Sequence, residues 1–169
     1  MNLHRSQLAG LAKSMVDALS ENGHIEVKSR PAAAADLEAV LIAYVDQEKE
    51  VVDRARDFAQ QRGLAPDEAG RFRHRLAEQR GIKVGDEGLD YVLDQLIEML
   101  MHSEHVDEVF GQDHDLRRTM RTFILEAGQA DEKIEAEVRS KLKHVEEGSR
   151  MWEIEYRRMK EDIKRRRGV

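Results

Sequence analysis

Apolar residues recur at helical spacing in two long stretches of this chain, and the two stretches match each other without a gap. Residues 8–27 read LAGLAKSMVDALSENGHIEV, and residues 89–109 read LDYVLDQLIEMLMHSEHVDEV. Aligning Leu8 with Leu89 pairs Leu11 with Val92, Met15 with Leu96, Val16 with Ile97, Leu19 with Leu100, and His24 with His105. Spacings of three and four residues mark one face of an α-helix, so each stretch is predicted to contain an amphipathic helix.

The two halves of the chain also end alike, on Gln-Arg-Gly-Ile at residues 79–82 and on Arg-Arg-Gly-Val at residues 166–169. Any two amphipathic helices align through their common period, but the paired histidines and the similar endings go beyond that period. We therefore predict an internal repeat, with one helical copy in residues 1–83 and the other in residues 84–169. Each copy alone has too little apolar surface, so the two are expected to pack face to face as one compact unit.

Each copy is predicted to contain three helices, which makes the fold class all-α. The first helix spans about residues 6–20 and, in the second copy, 87–102, with Ser6 as an N-cap. The second helix of the first copy runs from near residue 31 to about residue 62, because Pro31 suits a first helical turn.

In the second copy, Asp113 or Asp115 can cap the start of the long helix, and Gly128 is expected to kink or break it. The third helices are predicted to begin at Asp67 and at Ser149. Between the first and second helices of each copy, residues 24–27 and 105–109 contain short alternating segments. If a pseudo-twofold axis relates the copies, these segments can pair as a minimal two-stranded ribbon.

Composition excludes several classes of protein. The chain contains no cysteine, which rules out disulfides, thiolate zinc sites and a cysteine nucleophile. Its first fifteen residues lack the apolar run of a signal peptide, and no stretch of 18 apolar residues is present. A cytoplasmic location without membrane contact is therefore expected.

Metal binding is the sharpest catalytic hypothesis, although it is not the favoured one. Glu98, His102 and His105 fall at helical positions that share a face, with Asp107 close by, and such ligands suit zinc, iron or manganese. His105 lies near the expected helix end, however, so a structural role is preferred. The cluster Asp113–Asp115, which contains His114, is similarly better explained as a helix start. Phosphate-binding glycine loops and the Gly-x-Ser-x-Gly motif are missing, so no catalytic residue and no cofactor is predicted.

Charge is strongly segregated along the chain. Residues 86–115 carry ten acidic residues and no lysine or arginine, whereas 157–167 carries seven basic residues against two acidic ones and 71–83 carries five against one. Such blocks steer charged partners. The predicted interaction surface comprises Trp152, Tyr156, Arg157, Arg158, Arg165, Arg166 and Arg167.

The two ends of the chain resemble a known family. The opening MNLHRSQLAGLAKSMVDAL and the closing EVRSKLKHVEEGSRMWEIEYRRMKEDIKRRRGV are similar to the bacterial domain-of-unknown-function 507 family. In that family a charged helix precedes a Glu-Gly-Ser segment, a Trp, a Tyr and a terminal Arg-rich turn with glycine. The chain departs from this pattern at residues 158–160, where more aromatic character is expected. The resemblance implies a bacterial, compact helical protein and no particular activity.

These observations favour a non-enzymatic interaction or regulatory protein that binds a protein partner or a second copy of itself. The alternative is an RNA- or ribosome-associated factor that uses the basic helices at 71–83 and 157–167. The overall charge of -6 is unlike that of most dedicated nucleic-acid binders. A metal-dependent hydrolase around His102 and His105 is the least favoured reading.

Overall fold

The computed structural model describes residues 3–147 and 149–167, and this part of the chain is built from helices joined by short segments. The helices are α1 (Arg5–Glu21), α2 (Arg30–Arg62), α3 (Pro66–Gln79), α4 (Gly88–His102), α5 (Asp113–Lys141) and α6 (Arg150–Arg167), with a short 3-10 turn at Gly85–Glu87. The two strands are β1 (Ile25–Val27) and β2 (Val106–Val109). The predicted all-α class is confirmed.

Most predicted helix ends lie within two residues of the observed ones, and local side chains explain why. Ser29 caps α2 by accepting a hydrogen bond from the backbone N–H of Ala32 at 3.4 Å. Gly63 ends α2 in the left-handed conformation, with φ of 60°. Ser149 accepts a 3.1 Å hydrogen bond from the backbone N–H of Trp152 and so caps α6 as expected.

One predicted helix cap and one predicted helix break were wrong. Ser6 is not an N-cap, because α1 begins one residue earlier and His4 occupies the cap position. Gly128 does not break the long helix, since α5 is continuous from Asp113 to Lys141. A single helical glycine costs only about 1 kcal/mol, which the remaining turns of a 29-residue helix easily offset. Gly148, Gly168 and Val169, used in the predicted helix start and the repeated ending, lie outside the described residues.

The predicted two-stranded ribbon is confirmed. Strands β1 and β2 pair antiparallel, with Ile25 opposite Val109 and Val27 opposite Val106. The pairing is irregular between Glu26 and Val27, where the register shifts. The ribbon joins two segments about eighty residues apart and so fixes the ends of α1 and α4 to one another.

By its internal packing the chain divides into two compact units, one spanning Leu3–Ile124 and the other beginning at Leu125. In the first unit α2 contacts α1, α3 and α4. Its largest fully buried side chains come from α1, α2, α4 and the first half of α5: Leu8, Met15, Val16, Leu19, Leu37, Leu41, Leu93, Leu96, Leu100, Met120 and Ile124. A separate cluster of Val51, Ala77, Ile82 and Val84 joins α2, α3 and the segment that follows α3.

The second unit has a much smaller core. Ile134 and Val138 of α5 and Leu142, which directly follows that helix, pack with Ile163 of α6. Lys160 of α6 pairs with Glu135 of α5 at 3.0 Å. The order helix, strand, long helix, helix occurs twice along the chain. The boundary between the packed units differs from residues 83–84, however, and the internal duplication stays a prediction.

None of the helices in the described ranges is both long enough and apolar enough to cross a lipid bilayer.

Candidate interaction surfaces

The residues proposed for a metal site do not converge. Helix α4 ends at His102, whose Nδ1 lies 2.9 Å from the backbone oxygen of Glu98. His105 lies beyond the helix end, where its backbone N–H donates to the Ser103 hydroxyl at 3.1 Å. Helical spacing therefore does not extend to His105. Among the side chains that the structure describes, no three from His, Asp or Glu are arranged to hold a metal ion.

The acidic residues at the start of α5 are engaged by arginines of the same helix. Asp113 pairs with Arg117 at 2.6 Å, and Asp115 pairs with Arg118 at 2.6 Å. His114 lies 3.4 Å from Asp115 and is otherwise exposed. Carboxylates in the first turn of a helix complement its dipole, which accounts for this cluster without a catalytic role.

The basic segment 71–83 is partly neutralised by the fold. Arg80 makes two hydrogen bonds to the carboxylate of Glu50, of 2.5 and 3.0 Å, and Lys83 pairs with Glu87 at 3.1 Å. The Arg80 guanidinium lowers the pKa of the Glu50 carboxyl below its ordinary value. These two cations are therefore not free to bind a partner's phosphates or carboxylates.

Three arginines of this segment, all within α3, remain available. Arg71, Arg73 and Arg75 have no carboxylate partner within the described part of the chain. Arg71 donates from Nε to the backbone oxygen of Asp67 at 3.4 Å, a contact that leaves its charge uncompensated.

In the second unit the predicted aromatic residues pack against the helix pair. The rings of Trp152 and Tyr156 stack with centroids 4.7 Å apart, and both are half-buried against the cluster that contains Ile163. The Lys160 ammonium lies 5.9 Å from the centre of the Tyr156 ring. Burial raises the pKa of Tyr156. The aromatic pair thus stabilises this unit, and its contact with a partner stays a prediction.

The predicted arginines of α6 are exposed where their side chains are described. Arg158 lies 3.9 Å from Glu155, and Arg165 lies 3.6 Å from Asp162, distances of loose surface pairs. Arg157 and Arg166 have no carboxylate partner among the described residues. The side chain of Arg167 lies outside the described residues, although its backbone ends α6.

Two large apolar residues of α6 that the sequence-based prediction did not include are exposed. Met151 is 63% exposed and Ile154 is 56% exposed. They lie three residues apart, and Arg158 follows Ile154 by four residues, so these three side chains share a helix face. We call the face formed by Met151, Ile154, Arg158 and Arg165 the outer face of α6. The sequence does contain a signal for this exposure. Met151 and Ile154 fall outside the helical period that joins Trp152 to Ile163, so they lie on a different side of α6 from the core residues.

Comparison with known proteins agrees with the resemblance noted at the two ends of the chain. The family described as protein of unknown function (DUF507) matches residues 1–169, the whole chain. The chain belongs to the DUF507 family. A comparison with curated proteins finds no significant match. The DUF507 description states no activity.

Proposed function

We propose that this DUF507 protein is a non-enzymatic interaction module that binds a protein partner through the outer face of α6. The observation that carries the proposal is the exposure of Met151 and Ile154, side by side on a helix whose other side already supplies the core of its unit. Large apolar side chains that are adjacent and exposed are typical of protein-binding surfaces. As the sequence predicts, the interaction is assigned to the bacterial cytoplasm.

The surface specifies the chemistry of its partner. Covering Met151 and Ile154 contributes about 1–2 kcal/mol each, because each already has part of its surface buried. Arg158 and Arg165 on the same face make only loose, exposed pairs with carboxylates of their own helix, so they can exchange them for carboxylates of the partner. The partner is therefore a protein surface that presents apolar side chains beside Asp or Glu.

RNA binding is the second candidate, and the free Arg71, Arg73 and Arg75 of α3 favour it. Within α6, however, Asp162 accompanies Arg165 and Glu155 accompanies Arg158, which weakens attraction to phosphates. An RNA-binding protein would be retained on immobilised RNA with a steep dependence on salt concentration. Absence of retention at about 50 mM salt removes this candidate.

The test is affinity purification of the tagged full-length chain from its native host, followed by mass spectrometry. The wild type is compared with the double variant Met151→Ser/Ile154→Ser and with the control Glu153→Ser. Glu153 is exposed on the same helix but points away from the outer face. We expect the double variant to lose co-purifying proteins that the control retains, with no change after ribonuclease treatment.

Two results contradict the proposal. One is recovery of the same proteins with the double variant as with the wild type. The other is loss of the co-purifying proteins after ribonuclease treatment, which would favour the RNA-binding hypothesis. Circular dichroism of each variant establishes that the helices are intact.

A further inference from the structure

A groove lies between α2 and α3 in the first unit, well apart in sequence from the outer face of α6. It has a volume of about 550 Å³ and is open to solvent. Most of its lining is small or apolar and comes from α2, from α3 and from the connection between them: Val52, Ala55, Ala59, Leu64, Pro66 and Ala69. Two helices that meet through short side chains leave room for a side chain from elsewhere.

The charged residues that line the groove are all positively charged. Of its eleven lining residues, Arg56 and Arg73 are charged, and both are cations. Arg56 pairs with Asp53 at 2.8 Å. Arg73 has no carboxylate partner in the described part of the chain, and its Nε is buried without a hydrogen-bond acceptor. A buried donor without an acceptor is costly, so Arg73 gains from a carboxylate that arrives with a ligand.

The complementary surface occurs in the same chain, at the end of α4. Met101 is 62% exposed, so it does not occupy the groove of its own chain. Glu98 lies three residues before Met101 and Glu104 three residues after it. Both glutamates are exposed, and neither makes an ion pair within the described residues. Six of the ten acidic residues at 86–115 pair with cations outside that segment, whereas Glu98 and Glu104 keep their charge uncompensated in the part of the chain that the structure describes.

We infer that the α2–α3 groove binds the end of α4 from a second copy of this chain. Met101 enters the apolar part of the groove, and Glu98 and Glu104 face Arg73 and Arg56. An unbranched methionine side chain adapts to an irregular groove lined by small residues. The two charged pairs then set the orientation and exclude partners of the wrong sign. This self-association uses neither Met151 nor Ile154 and stands independently of the surface on α6.

A second copy of the chain supplies both complementary surfaces, the groove and the acidic segment that contains Met101. Each chain carries one groove and one acidic methionine segment, so the two are always present in equal amounts. Contact between unlike surfaces closes into a dimer when each chain supplies both, or extends into a larger assembly when it does not close. In either case the mass of the particle rises with protein concentration.

The experiment is sedimentation velocity of the full-length chain over a wide concentration range. Two charge-reversal variants, Arg73→Glu and Glu98→Arg, are each expected to weaken self-association at least tenfold. Mixed in equal amounts, the two variants are expected to recover it, because the reversed groove of one chain then faces the reversed α4 of the other. The matched control is Arg75→Glu, an exposed arginine of α3 that does not line the groove.

Recovery in the mixture, with the control behaving as wild type, supports the inference. A wild-type chain that keeps the mass of one copy at every concentration overturns it. So does a mixture that stays dissociated, or a control that weakens association as much as Arg73→Glu. The variant Met151→Ser/Ile154→Ser should associate normally, so failure here and failure of the α6 proposal give different results.

Discussion

The ring of Tyr44 closes over Gly88 where α2 passes the first turn of α4, so that a Cβ placed on Gly88 would overlap the Tyr44 hydroxyl. Tyr44 is 4% exposed, and its hydroxyl lies 3.2 Å from Glu48 and 3.3 Å from the backbone oxygen of Lys83. Glycine is therefore required at position 88 by close packing rather than by backbone conformation.

Replacement of Gly88 by alanine should destabilise the protein by about 1–3 kcal/mol, because the Tyr44 ring must move and loses its hydrogen bonds. Urea unfolding followed by circular dichroism measures the change. The matched control is Gly10→Ala in α1, where nothing lies within 4 Å of the added carbon. That exposed helical position should gain about 0.5–1 kcal/mol. Equal effects of the two substitutions would contradict the packing argument.

The stability of the first unit should fall at alkaline pH. Burial, followed by the charge of Glu48, raises the pKa of Tyr44 well above its ordinary value. In the unfolded chain this phenol ionises near pH 10, so the unfolded state releases a proton that the folded state keeps. The stabilising contribution is thus complete below about pH 10 and is lost as the pH rises above it.

Between about pH 9 and 11, the free energy of unfolding should fall less with rising pH in Tyr44→Phe than in the wild type. The difference corresponds to the one proton that Tyr44 releases in the unfolded wild type. Urea midpoints at a series of pH values test this expectation. Both proteins share every other titrating group, so the difference in slope isolates Tyr44. Parallel pH profiles would show that Tyr44 ionises alike in the folded and unfolded chains.

The small core of the second unit should be sensitive to a single truncation. Ile163 is 4% exposed and completes the cluster formed with α5, so Ile163→Ala should cost that unit about 2–5 kcal/mol. Fluorescence of Trp152 reports the loss directly, because the chain contains one tryptophan and it packs on this cluster.

The comparison for that experiment is Ile154→Ala, the same substitution in the same helix at a side chain that is 56% exposed. It should change the fluorescence midpoint far less, by roughly 1 kcal/mol or below. If both variants unfold at the same denaturant concentration, Ile163 does not hold this unit together.

The hydroxyl of Ser103 joins the end of α4 to α2. It donates a 2.5 Å hydrogen bond to the carboxylate of Asp36 and accepts one from the backbone N–H of His105. Ser103→Ala leaves the half-buried Asp36 without this donor and should cost about 1–2 kcal/mol in urea unfolding. Ser14→Ala, at an exposed position of α1, should be close to neutral. Similar losses for the two serines would argue against a role for the Asp36 contact.

The helices were predictable because their signals are local, and the ribbon because its two segments occupy matching places in the proposed repeat. Buried residues of α1 and α4 follow the spacing seen in the sequence, as Leu11 and Val92 or Leu19 and Leu100 show. The break predicted at Gly128 does not occur, because one unfavourable residue costs less than the many favourable turns around it contribute. The capping role predicted for Ser6 rested on residue type alone, although several neighbouring residues can begin a helix.

The candidate surfaces were less predictable. Arg80 and Arg75 look equivalent in the sequence, yet Arg80 is neutralised by Glu50, thirty residues away, and Arg75 is not. Met151 and Trp152 are neighbours in the chain, but Trp152 is half-buried and Met151 is mostly exposed. Residue type alone favours Trp152 as a partner-binding residue, whereas the position of each side chain around α6 favours Met151.

The order of residues was sufficient to establish the helical class, the approximate ends of the helices and the segments that form the ribbon. Each depends on interactions within one or two helical turns or on the periodicity of apolar residues along the sequence. The tertiary structure decided the rest through contacts between residues far apart in the chain. These contacts determine which cations remain free, which apolar side chains stay exposed, and where the packing divides at Leu125. These features depend on how helices meet, and that is decided by the fit of side chains far apart in the chain.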